Sequence, residues 1–463
     1  MPTRQIIIGG GPVATNAIES IRQFDKGESQ ITLICDEPAH SRMALPYWLS
    51  GQIPREQTHT SDDASFQKLG VEARIGTRAT AIDPAAGSVT LADGDVLNFD
   101  KLLIATGASP LRLDIPGIDL PGVQTLWSLA DTEALLDSAG KSANPRVLMV
   151  GAGFIGLIML NAMHKRGWQL TVVERESHVL PRMLDADSAT IVGSWLGSKG
   201  VAVHSGATVQ AITEADDGSK LVELADGTKL AADVVIVAAG IKTNMELMDG
   251  TGIETDAGIL VDDCMQTNLP DIYAGGDVAQ GPNLFGGQEI HAIQPTAVDH
   301  GRIAGANMTG HEVRYPGSLS MNVLDVCGLQ NASFGNWNDP SAEAMTISSP
   351  EGNVYRKLMW TGDEITGALF VGRANDVGML TDVGMLKGIM QTRTELGQWK
   401  KFLAENPFDI RRPYIATGVA KKLAATTLLG RPAQPRGYRY QGTPAQANVG
   451  APHGVYVDTR SQS

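Results

Sequence analysis

Gln5-Ile6-Ile7-Ile8-Gly9-Gly10-Gly11-Pro12-Val13-Ala14 stands near the start of the chain, and its reading decides the fold. A short apolar run passes at once into glycines and then into a helical stretch reaching Ile21, the order of strand, tight turn and helix. The spacing Gly9-x-Gly11-x-x-Ala14 has a steric meaning. Gly9 allows the turn, Gly11 lets a ligand approach the backbone, and Ala14 keeps the helix close to the sheet. Pro12 lies in the same turn. A phosphate there would meet free amides and the positive end of the helix dipole. The next strand, Ile31-Thr32-Leu33-Ile34, leads to Asp36 and Glu37, where a ribose diol needs acceptors. A dinucleotide site is the reading; glycines of a merely structural turn are its alternative.

The same order recurs further along. Val147-Leu148-Met149-Val150 runs into Gly151-Ala152-Gly153-Phe154-Ile155-Gly156, and Leu170-Thr171-Val172-Val173 ends at Glu174. Two buried strands close the copies, at Lys101–Ala105 before Thr106-Gly107 and at Val234–Val237 before Ala238-Ala239-Gly240. Apolar strands alternating with helices predict an α/β protein with two doubly wound, Rossmann-like units. At Glu174 a carboxylate would accept from a ribose 2′-hydroxyl and repel a 2′-phosphate, which favours NADH over NADPH. Arg175 moderates that preference, because a guanidinium holds phosphate well.

Composition narrows the classes. The 463 residues exceed one core, and 43% hydrophobic with 19% charged residues suits a packed globular chain. A net charge of −14 argues against a nucleic-acid partner. Cys35, Cys264 and Cys327 make no Cys-x-x-Cys pair, so neither a zinc ribbon nor a dithiol motif is expected, and buried reduced thiols are. No metal site is expected. No signal-peptide pattern precedes the first strand, and no apolar run approaches the roughly 18 to 20 residues of a membrane span. A cytoplasmic protein off the membrane is the expectation.

A third signature follows. Thr267-Asn268-Leu269-Pro270-Asp271-Ile272-Tyr273-Ala274-Gly275-Gly276-Asp277 reads as a strand ending in Gly-Asp, with a helix beginning near His291. This resembles the second FAD fingerprint of the pyridine nucleotide-disulfide oxidoreductase family, and Thr106-Gly107 and Ala239-Gly240 match that family's strand-closing turns. The resemblance implies that Asp277 holds the ribityl chain of FAD. It also implies that Pro295 and Thr296 lead a helix N-terminus to the flavin O2 edge. The expected division is an FAD-binding domain over 1–112 and 245–317 and an NAD(P)-binding domain over 113–244. A C-terminal α+β interface or dimerisation domain is expected over 318–430, with strands near 321–326 and 365–371, helices near 379–393 and 397–405, and a flexible or wrapping tail over 431–463.

Departures from the family pattern bear on the chemistry. Ser41-Arg42-Met43-Ala44-Leu45-Pro46-Tyr47 resembles the Cys-Gly-Leu-Pro-Tyr segment of coenzyme A-disulfide reductases and NADH oxidases, with Met43 at the redox cysteine. A thioether forms no thiolate or disulfide, which disfavours cysteine-based chemistry. It is also similar to the Arg-Pro-x-Leu segment of ferredoxin, rubredoxin and nitrite reductase flavoproteins, through Arg42 and Leu45. Arg42 could then bind FAD phosphate or cap the acidic strand end. Many such relatives place Lys where Tyr47 stands and Glu where Ile158 stands. No certain acid-base residue is expected, and Met43, Tyr47 and Ile158 are placed near the flavin. Hydride transfer itself needs no acid or base side chain. His40 and His291 could relay protons or simply be loop histidines. Tyr47 and Trp48 could cover the isoalloxazine or pack against the first helix.

Near the C-terminus Arg411-Arg412-Pro413-Tyr414 leads a predicted helix with Lys421 and Lys422. It could pack within or between subunits, dock an acidic carrier or touch a membrane. The repeat of Asp-Val-Gly-Met-Leu at Asp376 and Asp382 has no functional account. The resemblance implies hydride passage between NADH and flavin N5, then electron transfer to an external partner such as an iron–sulfur protein or partner subunit, and a homodimer is expected. A non-catalytic FAD-binding scaffold and an NADH oxidase are the alternatives.

Overall fold

The computed structural model describes residues 2–373, 377–424 and 428–429, with the backbone of 438–440 and 456–458. A first five-stranded parallel sheet runs in the order Ile272–Ala274, Lys101–Ile104, Arg4–Ile8, Gln30–Cys35, Val71–Ile75. Its central residues Ile7, Leu33, Leu102, Leu103 and Ile104 are fully buried, as a sheet covered on both faces requires. A second parallel sheet repeats the plan: Ala202–Ser205, Gln169–Glu174, Arg146–Val150, Val234–Val237, Val123–Gln124. A short antiparallel ladder, Ala108–Pro110 on Ile241–Thr243, connects the two.

In the first unit the helix Pro12–Asp25 lies against the helix Gln294–Asn307 almost backbone to backbone. A Cβ on Gly301 would stand 2.3 Å from Val13 O, and one on Gly305 2.6 Å from Ala17 O. Those glycines hold the N-termini of both helices at one end of the sheet. The second helix begins at Gln294, later than the expected His291, because Ile293 is extended (φ −132°, ψ 145°) and Pro295 sits in the first turn.

The C-terminal sheet is antiparallel, in the order Met321–Val326, Leu329–Gly335, Glu364–Arg373, Val354–Thr361, Glu343–Ser349. Alternation splits it cleanly. Leu324, Val326, Tyr355, Leu369 and Val371 join the core of the second unit, while Phe334, Leu358, Trp360 and Phe370 pack under the helix Val377–Gln391. Across that second face Arg356 and Asp382 form a buried ion pair 2.5 Å apart, which gives the second Asp-Val-Gly-Met-Leu copy a structural purpose. Asp376, in the first copy, lies outside the described residues.

Several expectations change. Arg411–Ala416 and Val419–Ala424 are two short helices, broken where Gly418 takes φ +69°. Trp48 packs with the second unit's core rather than the first helix. Cys35 and Cys327 are buried free thiols, but Cys264 is partly exposed. The expected tail over 431–463 lies outside the described residues apart from a backbone pairing of Tyr438–Tyr440 with Tyr456–Asp458. Among the described residues no helix is long and apolar enough to cross a membrane.

Candidate functional site

Each glycine turn does two separable things. At Gly9 (φ +110°) a Cβ would lie 2.1 Å from Ala105 O, and at Gly151 (φ +103°) 2.4 Å from Ala238 O. These positions must be glycine for the fold itself. At Gly11 and Gly153 a Cβ would meet nothing within 4 Å. Both open positions cap helices with no side-chain hydrogen bond, so the first-turn amides face free space. Room and unpartnered amides are what a pyrophosphate needs, and the residues present fit a dinucleotide at each turn. Ala14 is fully buried, and a Cβ on Gly156 would stand 2.8 Å from Gly151 O. Phe154 and Ile155 begin the second helix, half-buried.

The acids at the strand ends behave differently from one another. Asp36 forms a 2.6 Å ion pair with Arg78 at the surface, and Glu37 lies 3.8 Å from the buried His40. Arg42 is close enough for Glu37 and Asp36 to act on its charge, but its hydrogen bonds go to Asp277 and Ala108. Glu174 is buried, with Oε2 accepting from Ala152 N (2.6 Å) and Oε1 from Glu176 N (2.8 Å). It fastens the second glycine turn, and each oxygen keeps a lone pair for a ribose hydroxyl. Arg175 is turned onto Glu176 at 2.9 Å, which occupies the guanidinium that a 2′-phosphate would require.

Between the two units the third signature meets the Arg42 loop. Gly276 takes φ +77°, where a Cβ would clash with Val13 Cγ2 at 2.6 Å, and its N–H donates to His300 Nδ1 at 3.2 Å. The next residue, Asp277, reaches Arg42 Nη1 at 3.3 Å. Burial pushes the Asp277 carboxyl up, and Arg42 opposes that shift. Arg42 also donates to Ala108 O (3.4 Å) and lies 4.1 Å from the centre of the Trp127 ring. Burial drives His300 down to about 3, so it is neutral and Nδ1 can accept. Burial likewise lowers His291. Among the described residues His40, His291 and His300 each leave a buried Nε2 without a hydrogen-bond partner, with Glu37 3.8 Å from that of His40 and Glu289 3.9 Å from that of His291.

Thr106 and Gly107 are tied to Asn244: Thr106 Oγ1 donates to Asn244 O, and Asn244 Nδ2 to Thr106 O, both at 2.9 Å. Ser41 Oγ donates to Gln294 Oε1 at 2.9 Å, joining the Arg42 loop to the start of the helix carrying Pro295 and the buried Thr296. That helix start has no side-chain cap. Gly240 takes φ +127° beside Leu111. Met43 is 43% and Tyr47 52% exposed, while Ile158 packs half-buried in the second core. The short helix Leu45–Leu49 buries Leu45 and Leu49 in that same core. Trp127, Asn244 and His300 went unread in the sequence. A Ser128-x-x-Asp131 capping box marks the helix after Trp127, but it says nothing of where the indole points.

The model of the pyridine nucleotide-disulphide oxidoreductase family matches residues 3–301. The epsilon subunit of an NADH-dependent phenylglyoxylate dehydrogenase from Aromatoleum evansii is 30% identical over 89% of this chain and 96% of its own length. Among solved structures, an NAD-dependent persulfide reductase from A. fulgidus superposes with TM-score 0.77 at 31% identity, covering 85% of this chain and 78% of that one. A ferredoxin reductase from Rhodopseudomonas palustris superposes with TM-score 0.78 at 25% identity, over 89% and 99%. The chain belongs to the pyridine nucleotide-disulphide oxidoreductase family and is an FAD-dependent NAD(P)H oxidoreductase.

Proposed function

We propose that this chain takes electrons from NADH and hands them to a separate redox partner, a subunit or an iron–sulfur protein. The observation that carries the reading is the pair of open glycine positions, Gly11 and Gly153, at the ends of two like sheets. FAD would lie along the first turn, with Glu37 at its ribose, Arg42, Thr106 and Gly107 along its length, and Asp277, Pro295 and Thr296 at its ribityl chain and flavin edge. NADH would lie along Gly151, Gly153 and Gly156, with Glu174 at its ribose and Gly240 at the closing turn. Bound FAD supplies a hydride acceptor that can release electrons singly. The chain's own side chains bind, orient and screen it, with Met43, Tyr47 and Ile158 nearest its reactive ring.

An external acceptor follows from Met43, whose thioether cannot cycle through a disulfide, and accords with the subunit status of the Aromatoleum relative. NADH is favoured over NADPH by Glu174 and by the Arg175–Glu176 pair. The FAD-binding residues would be 1–112 with 245–317, the nicotinamide-binding ones 113–244, and 318–430 an interface region. Free thiols suit a reducing cytoplasm. The edge strand Glu343–Ser349 leaves a surface that a second copy can cover in a homodimer, which light scattering tests.

Anaerobic addition of NADH to the FAD-loaded protein should bleach the flavin absorbance. Flavin that stays oxidised would overturn the donor assignment. Reduction followed by rapid turnover with oxygen alone would overturn the external partner.

A further inference from the structure

Trp127 comes from the second parallel sheet's side of the molecule, in the loop between the edge strand Val123–Gln124 and the helix Leu129–Ala139. Its backbone is held by the cap of that helix: Asp131 Oδ2 accepts from Trp127 N (2.8 Å), Ser128 N (3.2 Å) and Thr125 Oγ1 (3.1 Å). Its side chain is held at the other end, where Nε1 donates to Ala108 O at 2.9 Å. An indole pinned at both ends cannot drift. The Arg42 guanidinium lies 4.1 Å from its ring centre, shares Ala108 O with it at 3.4 Å, and reaches Asp277 at 3.3 Å. One carbonyl, on the ladder joining the two units, thus organises an aromatic ring from one unit and a cation from the other.

We propose that Trp127 is a positioning residue for the flavin site: its indole face sets the Arg42 guanidinium against Asp277. The proposal rests on the reading of Asp277 as the ribityl-chain acceptor. A guanidinium over an aromatic face is attracted by the ring quadrupole and loses water on that side without losing charge. Arg42 carries five N–H donors in a rigid fork. Contacts with Asp277 and Ala108 O leave others for oxygens of a bound nucleotide. A loop of the nicotinamide-binding unit would in this way govern how firmly the neighbouring unit grips FAD.

The test is a double-mutant cycle on FAD affinity, measured by titrating deflavinated protein with FAD and following quenching of flavin fluorescence. Trp127→Leu keeps bulk and removes the ring face; Arg42→Met removes the cation. Trp127→Leu should weaken FAD binding about threefold to tenfold, the scale of a partly exposed cation–π contact, and Arg42→Met should weaken it more, because it also removes the pair with Asp277. The double variant should be no weaker than the worse single. Trp127→Phe restores a face without the Nε1 anchor and should recover part of the loss. A purely structural tryptophan predicts otherwise: losses that multiply in the double variant, or Phe no better than Leu, overturn the proposal. Variants that keep wild-type affinity overturn it too. Failure of the wild-type protein to bind FAD is a different result, and it removes the reading on which the proposal rests.

Discussion

Replacing Gly153 by alanine separates binding from folding more sharply than any other single change here. Gly153 has φ −77° and ψ −178°, extended backbone open to any residue, and its new Cβ would touch no protein atom within 4 Å. Gly→Ala at such a position stabilises by about 0.4–1 kcal/mol through the unfolded chain. The added methyl nevertheless fills the approach to the first-turn amides of the helix Phe154–Lys165. Losing one or two charge-assisted hydrogen bonds to a pyrophosphate costs about 1.5–3 kcal/mol each. At about 1.4 kcal/mol per tenfold, KM for NADH should rise roughly tenfold for the loss of one weak bond, roughly a hundredfold for one strong bond, and further if two are lost. FAD content should be unchanged, because Gly11 serves the other turn. Steady-state dye reduction against NADH concentration, with a denaturant titration of the same sample, reads both quantities. Gly151→Ala is the contrast: at φ +103°, with a Cβ 2.4 Å from Ala238 O, it should compromise folding itself. A folded, FAD-loaded Gly153→Ala protein with KM within twofold of wild type would refute the placement of NADH on this turn.

Three further outcomes are expected. Glu176→Gln releases Arg175 from its exposed 2.9 Å ion pair and should raise kcat/KM for NADPH by up to about fivefold with NADH little changed; an unchanged ratio of the two coenzymes counts against the specificity argument. Asp382→Ala strands the buried Arg356 guanidinium between Phe370 and Phe408 and should cost about 3–5 kcal/mol in denaturant unfolding, whereas a loss under 1 kcal/mol would show that the pair is not desolvated. His300, held down to about 3 against an ordinary 6.5, stays neutral when folded but takes a proton when unfolded. Its contribution is complete above about pH 6.5 and is lost as pH falls toward 3. His300→Asn keeps an acceptor for Gly276 N–H while removing the titration, so the slope of unfolding free energy between pH 6.5 and 4 should fall by up to about 1.4 kcal/mol per pH unit; an unaltered slope would mean that His300 is protonated in the fold.

What is legible in this sequence is what local sterics enforce. Gly9 and Gly151 are dictated by a carbonyl lying about 2 Å from where a Cβ would stand, and such a constraint leaves its mark within six residues. Strands buried on both faces, such as Ile6–Ile8 and Val234–Val237, announce themselves as unbroken apolar runs. The C-terminal sheet is read less fully, for physical reasons. Glu343–Ser349 is an edge strand with mostly exposed residues, so no apolar period marks it, and a register shift at Met359/Trp360 interrupts the alternation of Val354–Thr361.

The site divides along the same line. Asp277 is found because a Gly-Asp pair ends a strand, yet the residues that set it in place are remote. His300 follows 23 positions later and acts through the Gly276 amide. Arg42 precedes Asp277 by 235 positions, and the strand-end Asp36 takes its ion pair from Arg78, 42 positions later. Which cation meets which carboxylate depends on how two sheets are placed about the Ala108–Pro110 ladder, and no local pattern encodes that placement. A carboxylate taken from water needs its partner supplied by the fold. The sequence therefore points to the carboxylate at 277, while the arrangement of Arg42, Gly276 and His300 around it appears only when both units are assembled.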